Sequence, residues 1–255
     1  MNAWIFAATL AAASPSAQEL VDKASQAQYY AADDGRALVR MMIVDGQGRK
    51  MRRQFVVLRR DVKDGGQQRF LVRFEQPADV RNTVFMVHKK PGSDDDRWLY
   101  LPALDLVKRI AASDERTSFV GSHLFYEDIS GRGPGEDTHT LKEETDEHWI
   151  IESKPKSPND VEFAKYEVHL RKQDYLPETI EYFDRKGEPI RRIEAARIEV
   201  VKGHPTITRM KVSDLRSGGY TLAAFGEVTF DLGVPDDVFV ERSLRNPPAK
   251  WLRAR

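Results

Sequence analysis

The chain of 255 residues contains no cysteine. A structural disulfide, a thiol nucleophile and a thiol-linked lipid anchor are therefore all excluded, and stability has to come from burial. Charge of one sign is also missing: 40 Lys and Arg offset 40 Asp and Glu. A neutral total argues against bulk binding to nucleic acid. Catalytic signatures are absent as well, with no Gly-x-Ser-x-Gly elbow, His-Glu-x-x-His pair or phosphate-binding Walker loop. The six histidines are never spaced for chelation, and no pair of carboxylates stands out as an acid and base. Gly131-Arg132-Gly133-Pro134-Gly135 lies between Glu127-Asp128 and Glu136-Asp137, so it reads as a turn that repels anions, and Asp94-Asp95-Asp96 as a solvated turn. We expect no enzyme, no cofactor and no metal.

Long apolar runs are scarce. The longest, Ala3–Ala13, lies in an N-terminal stretch without Lys, Arg, Asp or Glu. At 1.5 Å per residue it reaches roughly 16 Å, about half of a bilayer's hydrocarbon core. It reads as a secretory signal peptide over residues 1–17, cut after Ala13 or, second choice, after Ala17. A soluble, exported, monomeric protein is the expectation, with one domain over 18–241 and a basic tail over 242–255.

What is present in quantity is β-forming sequence. Ala17–Tyr30 reads as one amphipathic helix. Thirteen runs rich in Val, Ile, Phe, Tyr, Thr and Arg then extend from Ala37–Val44 to Tyr220–Leu232, separated by turns such as Asp45-Gly46 and Lys186-Gly187. Short turns imply an antiparallel meander. Alternation is clear over Val161–Arg171, where Ala164, Tyr166, Val168 and Leu170 point one way and Phe163, Lys165, Glu167 and His169 the other.

Large apolar groups exceed the needs of one thin core. Phe55, Phe70, Phe74, Phe85, Met86, Trp98 and Tyr100 are candidates to line a cavity on a curved sheet. The longest stretch without strand character, Ala111–Asp137, interrupts the meander. Within it Ser113–Asp128 is a candidate lid, carrying Phe119, Val120, Leu124, Phe125 and Tyr126 with Gly121 as a bending point. The tail offers Arg242, Arg245, Lys250, Trp251, Arg253 and Arg255 to an anionic membrane surface or a partner protein.

From Arg97 the chain reads RWLYLPALDLVKRIAASDERTSFVGSHLFYEDI. Its Trp-Leu-Tyr-Leu-Pro-Ala and Tyr-Glu-Asp blocks resemble the LolA-like family of outer-membrane lipoprotein-sorting proteins, and the order of elements agrees along nearly all of the mature chain. Two positions depart from the pattern. Phe125 stands where a small hydroxyl residue is usual, and the last strand carries Ala223-Ala224 and Gly226. The resemblance implies a mainly β fold: a half-open antiparallel barrel of about 11–13 strands, with an N-terminal helix and a helical or loop lid over an apolar concave face. It also implies a periplasmic carrier or acceptor of a lipid or acylated molecule, associated with an RND-type inner-membrane transporter. Lipid is favoured over lipoprotein cargo, because the true lipoprotein carrier is a distant relative. The competing expectation is a non-enzymatic sensor or accessory protein whose concave face binds a protein segment of an envelope complex.

Overall fold

The computed structural model describes residues 15–63 and 65–252. The apolar N-terminal run with the candidate cleavage site after Ala13, and Arg253 and Arg255 of the tail, lie outside them, whereas the candidate site after Ala17 falls within them. Among the described residues no helix is long and apolar enough to cross a membrane.

Helix α1 (Ala17–Tyr29) starts where Ser16 and Glu19 form a capping box, the Ser16 hydroxyl accepting from the Glu19 amide and the Glu19 carboxylate accepting from the Ser16 amide. Thirteen strands follow: β1 Asp34–Val44, β2 Lys50–Asp61, β3 Gln68–Gln76, β4 Val84–Lys89, β5 Asp96–Leu101, β6 Leu106–Ile110, β7 Asp137–Glu144, β8 His148–Pro155, β9 Lys165–Arg171, β10 Pro177–Phe183, β11 Pro189–Val201, β12 His204–Asp214 and β13 Tyr220–Phe230. They make one antiparallel sheet in the order β6-β5-β4-β3-β2-β1-β13-β12-β11-β10-β9-β8-β7. Three hairpins use one device: Asp45, Asp184 and Asp214 each accept backbone N–H bonds from residues two to four further on, closing the turn locally.

The sheet does not close. Its first and last strands in the chain, β1 and β13, pair at the centre, so the two free edges are β6 and β7, which are consecutive in sequence. The connection between them, residues 111–136, therefore has to cross from one edge of the half-barrel to the other. It does so as a strap containing a 3-10 turn (Ala112–Asp114), the short helix α2 (Tyr126–Ser130) and a second 3-10 turn (Pro134–Glu136).

Both faces of the first half of the sheet are covered, and strand periodicity divides the residues. Val39, Phe55, Phe70, Val72, Phe74, Phe85 and Val87 point inward. Leu38, Val56, Leu58, Leu71, Val84 and Met86 point outward. The outward group is covered by the chain after β13. Asp34, nearly fully buried, accepts from the amides of Leu232 and Val234 at 2.7 Å and turns this segment under the sheet. There Val234, Val238, Phe239, Leu244 and Leu252 are buried, the last two on the short helices α3 (Arg242–Arg245) and α4 (Ala249–Leu252). The described part of the basic tail is thus packed onto the body. Arg245 pairs with Asp105 at 2.9 Å, Arg242 lies 3.6 Å from Asp237, and Lys250 sits over the Trp251 ring.

One detail of the alternation differs from expectation. The strand at 161–171 begins only at Lys165, and Phe163 ahead of it turns back into the buried cluster with Tyr166 and Tyr182. The pleat fixes direction only where the ladder has begun.

Candidate functional site

Between the concave face and α1 lies a cavity of about 370 Å³. Its floor is apolar: Val39 and Met41 of β1, Ile180 of β10, Ile193 of β11, Met210 of β12 and Phe225 of β13. Helix α1 roofs it with Val21, Ala24 and Ala27. The helix is held at both ends. Leu20 is buried against the cluster formed by Trp149, Ile151, Phe163 and Leu170, while Gln68 donates to the Tyr29 carbonyl at 2.7 Å and the Tyr30 hydroxyl to the Gly66 carbonyl at 2.7 Å.

The strap forms the remaining wall through Leu124, Glu127, Asp128, Ile129, Gly131 and Arg132. Its apolar part is a plug. Phe119 is fully buried, with its ring 5.4 to 6.0 Å from those of Phe55, Phe74, Phe85 and Tyr126. The plug is closed on itself by the Phe119 amide bonding the Leu124 carbonyl at 2.7 Å, across a turn in which Val120 and Gly121 both take positive φ. His123 ties the tip to β13, its backbone amide and Nδ1 lying 3.0 and 2.9 Å from the Thr221 hydroxyl.

The polar part is a knot of buried ions. Glu127 bridges Arg116 and Arg132, Arg132 also holds Asp137 at 2.9 Å, and Arg116 makes two 2.8 Å bonds to Glu162. Asp128 pairs with Arg191 of β11 and accepts from the Phe125 amide at 2.6 Å. Lys89 donates to the carbonyls of Ser130 and Gly131. These contacts fasten the strap to both halves of the sheet: Asp128 reaches β11, Lys89 of β4 holds Ser130 and Gly131, Tyr126 packs on Phe85 of β4, and Glu127 joins two arginines of the strap itself. Gly131 belongs to the same contact, since a Cβ there would lie 2.4 Å from the Tyr29 ring. Burial pushes the Tyr182 hydroxyl up to about 12, against the pull of Arg116 and Arg191, and drives Tyr29 further up in the same direction. Both line the cavity as neutral phenols in the physiological range. Glu115, Glu127 and Glu136 bring one oxygen each within 4.8 Å of one another. Arg97, Arg116 and Arg132 already pair with them, so the group is part of the ion knot.

The sequence candidates fall into three places. Phe55, Phe70 and Leu124 line the cavity. Phe74, Phe85, Phe119 and Tyr126 are inward but form the packed cluster beside it, together with the half-buried Val120. Met86, Trp98 and Tyr100 are on the outer face beneath the C-terminal segment and do not reach it. The last three are a correction with a simple cause: Met86 adjoins Phe85, so it must point the other way, and Trp98 opposes Met86 across the ladder while Tyr100 opposes Val84. Phe125 also lies off the cavity, its ring 4.3 Å from the Arg191 guanidinium and 5.1 Å from that of Arg116. Asp95 corrects the solvated-turn reading of its triplet: it is mostly buried and pairs with Arg97 at 2.9 Å. Sequence reasoning missed the α1 roof and the floor from β10 to β13. The apolar positions at helical spacing in α1 were the available signal.

An open antiparallel sheet curved around an apolar cavity, roofed by one helix and strapped between its free edges, defines a half-barrel of the LolA type. A protein-family model whose description reads "-like: Uncharacterized protein" matches residues 66–246, and the chain belongs to that family; its fold is LolA-like. A DUF1329 family protein from Desulfovibrio piger is 29% identical, with a TM-score of 0.82 over 89% of this chain and 97% of its own. A putative outer membrane lipoprotein-sorting protein domain from Vibrio parahaemolyticus is 26% identical, with a TM-score of 0.81 over 90% and 98%. The LolA superfamily protein NE2245 from Nitrosomonas europaea shares the fold at 18% identity, with a TM-score of 0.69 over 90% and 99%. No curated protein matches the chain.

Proposed function

We propose that this protein is a periplasmic, non-enzymatic carrier or acceptor of a lipid or acylated molecule, and that the acyl chain occupies the cavity under α1. The observation that carries the reading is the apolar floor of that cavity, from Val39 to Phe225, in a volume within the range of small-molecule sites. Burying about ten methylenes there contributes roughly 8 kcal/mol gross, before the ordering costs of binding. A protein segment, the competing occupant, would need partners for its backbone amides and carbonyls, and an apolar floor supplies few. The lipoprotein-sorting name of the Vibrio parahaemolyticus relative supports the same class of cargo. The other end of the transfer is a membrane surface or an RND-type inner-membrane transporter.

The test is mass spectrometry of the organic extract from protein purified out of its native periplasm, alongside titration with a fluorescent fatty acid. A co-purifying acyl lipid and saturable micromolar probe binding are expected. An empty extract together with no probe binding would refute the reading.

A further inference from the structure

The central seam of the half-barrel is split. The ladder between β12 and β13 covers only Arg209–Ser213 against Tyr220–Ala224. Beyond Arg209, residues 204–207 of β12 stay with β11 as far as the pair Val201 and His204. Beyond Ala224, β13 leaves with β1 as far as the pair Gly35 and Phe230. A fork opens between the two arms, about five residues or roughly 17 Å long at 3.3 Å each. Its far end is crossed by the rings of His204 and Phe230, with centroids 5.0 Å apart.

The fork leads into the cavity. Thr206 and Ile207 line it from one arm, Phe225 and Val228 from the other. On the outer side the β13 lip has almost no bulk. Ala224 and Gly226 are its outward positions, and a Cβ on Gly226 would meet only the Leu38 carbonyl, at 3.8 Å. The arm from β11 presents Val200, an apolar side chain 73% exposed.

Charge at the apex is one-sided. Arg40 and Arg209 both stand opposite Ala224, one on each side, and both are exposed. The small alanine leaves open ground between them. The neighbouring carboxylates are taken: Glu199 accepts from Thr208 at 2.6 Å and pairs with Arg197, Glu227 faces Arg36 at 3.9 Å, and Glu194 faces Lys211 at 3.9 Å. Arg40 bonds the neutral Gln54, and Arg209 acts electrostatically on Glu199 without the contact of an ion pair, Glu199 being bonded by Thr208 and Arg197.

We propose that the fork between β12 and β13 is the passage by which an acyl chain enters the cavity, and that Arg40 and Arg209 hold the anionic phosphate of its headgroup on the outer lip. The inference rests on the carrier reading above and narrows the cargo to an anionic phospholipid. An acyl chain suits the slot because it asks nothing of the backbone, while the two guanidinium groups at the apex supply charge-assisted hydrogen bonds to a phosphate.

The experiment uses phosphatidylglycerol and phosphatidylcholine carrying the same fluorescent acyl chain. The wild-type protein is expected to bind the anionic lipid at least about fivefold more tightly. Arg40→Gln with Arg209→Gln is expected to abolish that preference, weakening phosphatidylglycerol more than phosphatidylcholine, whose choline cation already offsets its phosphate. Gly226→Leu fills the lip from a backbone conformation open to any residue, and is expected to slow uptake of both lipids about tenfold with the thermal midpoint kept. A preference that survives loss of both arginines overturns the headgroup site, whether or not Gly226→Leu folds. Uptake at the wild-type rate by folded Gly226→Leu overturns the passage. Saturable calorimetric heat from inorganic phosphate alone would make the lip an anion site and overturn the lipid assignment. If the wild-type protein binds neither lipid, the carrier reading falls first and takes this inference with it.

Discussion

Phe119 and Phe125 stand six residues apart in the strap, and both read from sequence as lid residues. The structure separates them. Phe119 is fully buried among four aromatic rings, so Phe119→Ala is expected to cost about 3 to 5 kcal/mol, the usual penalty for emptying such a site. Phe125 is half-buried against Arg116 and Arg191, and its loss removes two cation–π contacts worth roughly 0.5 to 1 kcal/mol each. Urea unfolding of the two variants checks the ordering; equal costs would contradict it. At Phe125, where the family pattern has a small hydroxyl residue, this chain adds a ring to two guanidinium groups that Tyr182 and, at Arg116, Phe163 also cover.

At the scale of elements, the strap and α1 depend on their fastenings. Burial works to raise the Glu162 carboxyl, but the two bonds from Arg116 outweigh it and hold the group below its ordinary value. An acid lowered in the folded state contributes stability that is fully present above its unfolded value and is lost as pH falls through the folded one. Glu162→Gln should therefore lower the thermal midpoint at neutral pH, and the gap from wild type should close below about pH 4. A gap that persists unchanged into acid would show that the ion pair is not its source. Helix α1 carries a second expectation. Cleavage after Ala17 would remove Ser16 and with it the capping box, at a cost of about 1 kcal/mol, whereas cleavage after Ala13 keeps it. Intact-mass analysis of the periplasmic protein is expected to show a chain beginning at Ser14; a start at Gln18 would contradict this.

For the molecule as a whole, the free volume under α1 is the property that separates a carrier from a packed sheet. Filling it should act on binding and stability in opposite senses. Ala24→Phe points an aromatic ring from the roof into the cavity, so fatty-acid probe affinity is expected to fall at least about tenfold while the thermal midpoint holds or rises. Unchanged affinity would place the probe elsewhere on the protein.

Much of this architecture was legible in the chain itself. Thirteen β runs, Asp-initiated turns and a non-strand insert between the sixth and seventh runs are local properties, set by propensity and by side chains that bond their own neighbouring backbone. The absence of cysteine and the shortness of the apolar run were equally plain. Tertiary structure alone decided which face is which. A period of two separates Phe85 from Met86 but does not say which of them meets the cavity, because both faces of β4 are covered. It also decided that β1 pairs with β13, which makes the insert a strap between two free edges, and that β12 and β13 part at Arg209 and Ala224. Those outcomes depend on pairings between residues as distant in the chain as Gly35 and Phe230, and local sequence cannot encode a register set by packing across the whole sheet.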